Sequence, residues 1–265
     1  MPRDRSPSGR LYAEHWDRIA PKWGEEVFNT LLAARNRVVV AELKSAARSA
    51  SNIADFGCGV GTYLPMLSRL FDQVHGFEQS AKCVRIARDR MRARPNVRVE
   101  VAHRAPRQVR GKFDAVLAVN VAIHPSKREW HQVLRSMFVI LGRGGRFLLV
   151  VPSLESADLV TEASQRDDDT EDIEPEPSEL VRARDRPGIV RFGGVPTKHF
   201  AEGELREALV ALGLQRIRFR RVEYSWTSYG ITPPPELRNA RPWDWLVVAQ
   251  KAGRLGARRP SAKLR

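Results

Sequence analysis

The sequence predicts an α/β fold: a Rossmann-like seven-stranded sheet, mostly parallel with an antiparallel last strand, and helices on both faces. Three observations carry this prediction. Short apolar runs alternate with amphipathic stretches between residues 52 and 151, the pattern of parallel strands joined by crossover helices. The first run, Asn52–Phe56, breaks into Gly57-Cys58-Gly59-Val60-Gly61. Glycines at alternate positions let the backbone bend sharply and let a ligand approach it closely. The last two apolar runs have no helix between them, so they are expected to pair antiparallel.

In chain order, residues 1–10 are polar and are expected to be disordered, as is the basic tail, 252–265. Between them, 11–251 reads as one domain. Residues 11–48 read as helical, because Tyr12, Trp16, Ile19, Trp23, Val27, Phe28 and Leu31 recur at helical spacing. After the first strand and its glycines, Leu64, Leu67 and Leu70 mark a helix. The second strand, Gln73–Phe77, ends at Glu78, and a helix from about Ser80 to Ala93 stops ahead of Pro95. The third strand is Val97–Val101. The fourth, Phe113–Val119, is an apolar run of the kind buried on both faces, and it ends at Asn120. Trp130, Val133, Leu134, Met137, Phe138 and Leu141 define the next helix, with Gly142-Arg143-Gly144-Gly145 as its stop and Arg146–Val151 as the fifth strand.

Residues 152–190 break the pattern. From Glu155 to Leu180 there are eleven acids and one base, too polar a stretch to pack by itself. A mobile lid or solvated insert is expected there. It lacks the glycine and ordered oxygen spacing of a calcium loop, and no metal site is expected. Leu205, Ala208, Leu209 and Leu212 then mark a helix closed by Gly213. The sixth strand spans about Gln215–Tyr224. Pro233-Pro234-Pro235 leads to the seventh, within Pro242–Ala249.

The chemistry of the glycine turn follows from its place between a strand and a helix. Amides at a helix start face whatever ligand lies in the turn. The spacing differs from the nicotinamide fingerprint G-x-G-x-x-G, because the third glycine comes one position earlier; a glycine turn without a ligand is the alternative. Glu78 closes the second strand, where two carboxylate oxygens suit the two hydroxyls of a ribose. It is alternatively a helix N-terminal charge beside a Ser80 cap. Ligands in open parallel sheets sit at the carboxyl ends of strands near the switch point, which places Asn120 and His124 there.

Asp55, Gly57, Gly59 and Gly61 resemble motif I of the class I S-adenosylmethionine (SAM) dependent methyltransferases, roughly acid-x-G-x-G-x-G. Glu78, the helix–glycine–strand order and the terminal strand pair are similar as well. The stretch from Lys198-His199-Phe200 to Leu212-Gly213-Leu214 resembles small-molecule members of the ubiquinone/menaquinone-biosynthesis type. The resemblance covers about residues 11–251. It implies SAM as cofactor, bound by Asp55, Gly57, Cys58, Gly59, Gly61, Glu78, Gln79, His103, Asn120 and Trp16, with Glu78 on the ribose. Tyr12 and Trp23 are further candidates for contact from the first helix, whose alternative role is ordinary packing. The chain departs from the family after the third strand: Ala102-His103-Arg104-Ala105 stands where an acid usually meets the adenine amino group. The implied activity is transfer of a methyl group to a small molecule, on oxygen, nitrogen or carbon (EC 2.1.1.-). His124 and His199 are the candidate bases. Tyr224, Trp226, Trp243 and Trp245 are candidates for an aromatic acceptor wall or for plain core packing.

Composition narrows this further. The net charge of +14 invites a nucleic-acid partner, but only eight of the 45 basic residues are lysine, and the arginines are scattered rather than striped with aromatics. An RNA or tRNA methyltransferase is the first rival, and a SAM-binding module without turnover the second. No Asn/Asp-Pro-Pro-Tyr/Phe follows the fourth strand, and neither Cys58 nor Cys83 ends strand four or five, which disfavours base methylation. No apolar run of about 18 residues suggests a membrane span. The start, Met1-Pro2-Arg3-Asp4-Arg5, suggests no signal peptide. Two cysteines and no disulfide framework fit a cytoplasmic protein.

Overall fold

Strands form where the sequence has branched or aromatic runs too short for a helix. The computed structural model describes residues 14–27, 29–165, 188–192 and 195–253. Its strands, among those residues, are β1 (Asn52–Phe56), β2 (Gln73–Glu78), β3 (Val97–Val101), β4 (Phe113–Val119), β5 (Leu141–Pro152), β6 (Ile189–Phe192), β7 (Val195–Lys198), β8 (Leu214–Glu223) and β9 (Trp243–Lys251). Seven of them form one sheet in the order β3-β2-β1-β4-β5-β9-β8, and β6 and β7 form a separate antiparallel pair. β1 to β5 run parallel. β9 runs antiparallel to both of its neighbours, β5 and β8. The chain works outward from β1 to β3 and then returns beside β1 as β4, so the crevice of the fold opens between β1 and β4.

Helices cover both faces because the central strands are apolar on both. They are α1 (residues 14–19), α2 (Trp23–Glu26), α3 (Thr30–Ala33), α4 (Val38–Ala47), α5 (Leu64–Leu70), α6 (Ala81–Arg90), α7 (Lys127–Ile140), α8 (Leu154–Gln165) and α9 (Glu202–Ala211). In β5, Leu148 and Val150 face a core shared with Leu43, Leu64, Leu67 and Val84. Phe147, Leu149 and Val151 face the opposite core, with Trp130, Leu134, Met137, Leu205 and Leu209. This two-residue alternation locks the register, since a slip by one would exchange the two sets. Each fully buried leucine adds about 2 kcal/mol of transfer free energy.

Three expectations need correction. The stretch 11–48 is not one helix. A 3-10 turn, Ala20–Lys22, carries Pro21 at its start, and the Asn29 side chain accepts from Leu32 N at 3.2 Å to begin α3. Proline and a capping asparagine divide a chain whose apolar spacing runs on through the breaks; Tyr12 and Phe28 lie outside the described residues. The start of the acidic stretch is ordered, as α8. Its Val160 and Ala163 pack with Trp226. The Glu155 carboxylate accepts from Ser153 Oγ, Glu202 N and Trp245 Nε1 at 2.9, 2.9 and 3.1 Å. The rest of the expected insert, 166–187, lies outside the described residues, as do residues 1–10 and 254–265. Finally, β5 begins at Leu141 rather than Arg146. Its pairing with β4 slips between Phe113 and Ala115, so the glycine run becomes an irregularity inside the strand as well as a helix stop.

Candidate cofactor and acceptor site

The carboxyl ends of β1, β2 and β4 lie around the crevice. After Asp55 and Phe56 the chain enters the left-handed region at Gly57 (φ 77°) and Gly59 (φ 54°), which side chains rarely adopt. A Cβ on Gly57 would stand 2.4 Å from Val121 Cγ2, and one on Gly59 2.5 Å from Trp23 Cζ2. Gly57 N and Cys58 N both donate to Phe77 O, at 2.7 and 3.1 Å, binding the turn to β2. Glu78 completes the fastening. Its Oε2 accepts from Gly59 N at 3.0 Å and its Oε1 from Ser80 N at 2.8 Å. Burial raises its pKa, against the pull of those amides. Carboxylate oxygens have further lone pairs, so these bonds leave room for ligand hydroxyls.

Ser80 caps α6 by accepting from Cys83 N at 3.0 Å, and its hydroxyl donates to Asp17 at 2.5 Å. Asp17 also accepts from Lys82 N at 3.2 Å. The acid of α1 thus sits at the positive end of α6, where a negative charge is stabilised. This brings Trp16 and Trp23, with ring centroids 5.7 Å apart, over the glycine turn.

A second group of polar side chains lies beyond β4. Asn120 has a φ of 54°. Its amide donates to Thr30 Oγ1 at 3.3 Å and also bonds to Asp244. The Tyr224 hydroxyl donates to Asp244 Oδ2 at 2.7 Å. Burial pushes the Asp244 carboxyl up to about 6, moderated by those two bonds. At the glycine end, burial and then the Glu78 charge push Asp55 up to about 7. Asp55 Oδ2, the Tyr63 hydroxyl and Asn120 Oδ1 are buried without a hydrogen-bond partner among the described residues. One cavity of about 400 Å³ joins both groups, within the range of small-ligand sites.

Of the residues singled out in the sequence, Trp16, Asp55, Gly57, Cys58, Glu78, Gln79, His103, Asn120, His124 and His199 line this cavity. Gly59 and Gly61 do not. Gly59 gives its amide to Glu78, and a Cβ on Gly61 would stand 3.1 Å from Leu64 Cδ1, so it shapes the turn from behind. His103 is exposed at the rim. His124 Nδ1 accepts from Ser126 N at 2.9 Å, and burial lowers its pKa. His199 lies 3.2 Å from Thr197 O, and burial lowers its pKa to about 4. Tyr224, Trp226, Trp243 and Trp245 are absent from the cavity lining and pack in the cores. Sequence reasoning passed over Asp17, Thr30, Tyr229 and Asp244. A signal existed for Asp244, a charge inside the apolar run Trp243-Asp244-Trp245-Leu246-Val247, since a buried acid in a strand requires partners.

Residues 53–145 match the family model described as a methyltransferase domain. The fold around them is that of the class I methyltransferases. Solved structures extend the likeness in fold over most of the chain. A protein from Pyrococcus horikoshii OT3 is 18% identical, with a TM-score of 0.61, over 82% of this chain and 89% of that one. The magnesium protoporphyrin IX methyltransferase of Synechocystis PCC 6803, solved with bound SAM, is 14% identical, with a TM-score of 0.58, over 95% and 100% of the two chains. A putative methyltransferase of Haloferax volcanii, solved with its Trm112 activator, is 15% identical, with a TM-score of 0.59, over 94% and 99%. No curated protein matches the sequence.

Class I methyltransferase domains work with SAM, which carries a ribose and a positively charged sulfonium. The cavity wall has suitable residues for both features: the Glu78 carboxylate at the turn, and Oδ2 of Asp55, which has no hydrogen-bond partner among the described residues.

Proposed function

We propose that this protein is a SAM-dependent methyltransferase acting on a small-molecule acceptor, on oxygen, nitrogen or carbon. The observation that carries the reading is the continuous cavity of about 400 Å³, with the glycine turn and Glu78 at one end and Asn120 and Asp244 at the other. In this reading Glu78 holds the ribose, Asp55, Gly57, Cys58 and Gln79 shape the wall around the cofactor, and Trp16 covers it. His103 lies by the adenine in place of an acid. When bound, SAM supplies a methyl made electrophilic by the adjoining sulfonium.

The chain's own task is to align two reactants and exclude water. Asn120, in its left-handed conformation, presents its carboxamide between Thr30 and Asp244. His124 and His199, the candidate bases, belong to the acceptor wall. Lowered pKa values keep both rings neutral at physiological pH; His199, whose Nδ1–H donates to Thr197 O, keeps Nε2 free to accept from the acceptor, whereas His124, whose Nδ1 accepts from Ser126 N, presents its Nε2–H as a donor. Two free, buried cysteines agree with work in the cytoplasm.

Calorimetry with S-adenosylhomocysteine tests the cofactor half, and folded protein that fails to bind it sinks the proposal. Mass spectrometry of cell extracts incubated with labelled SAM would name the acceptor. A steep loss of acceptor affinity with salt would favour an RNA instead.

A further inference from the structure

Asp244 is not accounted for by the cofactor reading. It is the second residue of β9, and β9 runs against its neighbours, so Asp244 lies opposite Pro152 at the carboxyl end of β5. That is the edge of the sheet at which the cavity opens. The residue is 7% exposed and lines the cavity. Its hydrogen bonds come from neutral donors, the Tyr224 hydroxyl and the Asn120 amide.

Two polar atoms nearby support a ligand here. Tyr63, only 6% exposed, lines the same cavity with its hydroxyl unpartnered among the described residues, and feels the charges of both Asp55 and Asp244. Asn120 Oδ1 is buried and has no partner among the described residues. The charge of the wall is one-sided. Asp55, Glu78, Glu129 and Asp244 line it, and Arg104 is the single lysine or arginine among the described lining residues. Arg104 adjoins exposed His103 at the rim, on the segment after β3.

Resting on the methyltransferase reading, we infer that the acceptor is an amine, held through its N–H groups by Asp244, with Asn120 Oδ1 as a second acceptor. A carboxylate taken out of water is best complemented by a cation. An acceptor carrying a carboxylate or phosphate would bring a like charge to the acidic wall. A neutral alcohol would gain a hydrogen bond without the charge pairing. The ring of Tyr229 on the same wall also suits a cation. An amine arrives as its ammonium ion and must lose a proton before its lone pair can react. Asp244 takes that proton, leaving a neutral amine beside a neutral acid. The carboxyl's raised pKa, about 6, favours this exchange. Tyr224 is a positioning residue that fixes the carboxylate.

The test uses the full chain saturated with S-adenosylhomocysteine and three probes of one shape: phenethylamine, 2-phenylethanol and 3-phenylpropionate. Calorimetry should show the amine binding at least about tenfold more tightly than the alcohol, a factor worth about 1.4 kcal/mol, and the carboxylate most weakly. Asp244→Asn should keep S-adenosylhomocysteine affinity and bring the amine-to-alcohol ratio near one. Tyr224→Phe, which retains the carboxylate, should keep a preference for the amine. The wild-type ratio stands even if Asp244→Asn fails to fold. Equal binding of amine and alcohol, no amine binding, or loss of S-adenosylhomocysteine affinity in folded Asp244→Asn overturns the inference alone. Wild-type protein that does not bind S-adenosylhomocysteine overturns the methyltransferase reading beneath it.

Discussion

The two ends of the cavity are built from different materials. At the glycine end, the shape comes from backbone between Asp55 and Gly61, fastened by amide bonds to Phe77 O and Glu78. At the Asp244 end, the shape comes from side chains of Thr30, Asn120 and Asp244, delivered by α3, the end of β4 and the start of β9, with Tyr224 holding Asp244 from the core behind. A backbone site depends on conformation and tolerates little at its glycines. A side-chain site depends on residue identity and can be rewritten one position at a time. The first suits a ligand common to a fold, and the second suits a ligand peculiar to one protein.

The strongest way to break this contrast is Gly57→Val. The added side chain meets Val121 and a φ of 77°, so S-adenosylhomocysteine affinity should fall by more than about 100-fold, or about 3 kcal/mol. Calorimetry reads the affinity, and circular dichroism checks that the protein is folded. Retained affinity would show that the turn is not a backbone cradle. Glu78→Ala comes next. It strips partners from Gly59 N and Ser80 N, and urea unfolding should show a loss of about 2 to 4 kcal/mol. Cofactor affinity should fall on the order of tenfold.

pH sharpens the comparison, because each end holds a carboxyl above its ordinary 3.8, Asp55 at about 7 and Asp244 at about 6. Both bind protons more tightly folded than unfolded. Stability of the ligand-free protein should therefore decline as pH rises from about 4 through about 7, then level off. Thermal melts across that window should flatten in Asp55→Asn; an unchanged slope would contradict the buried acids. The smallest effect is expected for the histidines. His199 titrates at about 4, so its ring resonances should stay those of neutral imidazole from pH 8 down to about 5. His124→Ala and His199→Ala should leave S-adenosylhomocysteine affinity within about twofold. A larger loss would place them at the cofactor end.

The same contrast explains what could be read in the sequence. The glycine turn and Glu78 are local patterns with a conformational cause. The parallel sheet with its reversed last strand followed from crossover helices and the late strand pair. The burial of β5 on both faces followed from its unbroken apolar run, Phe147–Val151. Thr30, Asn120 and Asp244 are brought together only by the completed sheet and the docked N-terminal helices, so no short window displays them as a group. The divided helix over 11–48 was within reach, since Pro21 and Asn29 are local signals that the apolar spacing masked. α8 was not, because Val160 and Ala163 gain their burial from Trp226, far along the chain.

The reversal of β9 affects how freely the acceptor end can change. Parallel strands bring their last residues to the cavity edge, and each is followed by a crossover that must return under the sheet. β9 brings its first residues instead, with Asp244 among them, and they follow directly on the proline-rich connection from β8. That connection ends at the cavity and can change in length at little entropic cost. Insertions there would remodel the acceptor's surroundings while the strand register and the glycine turn stay in place, giving the fold one adjustable loop beside a constant one.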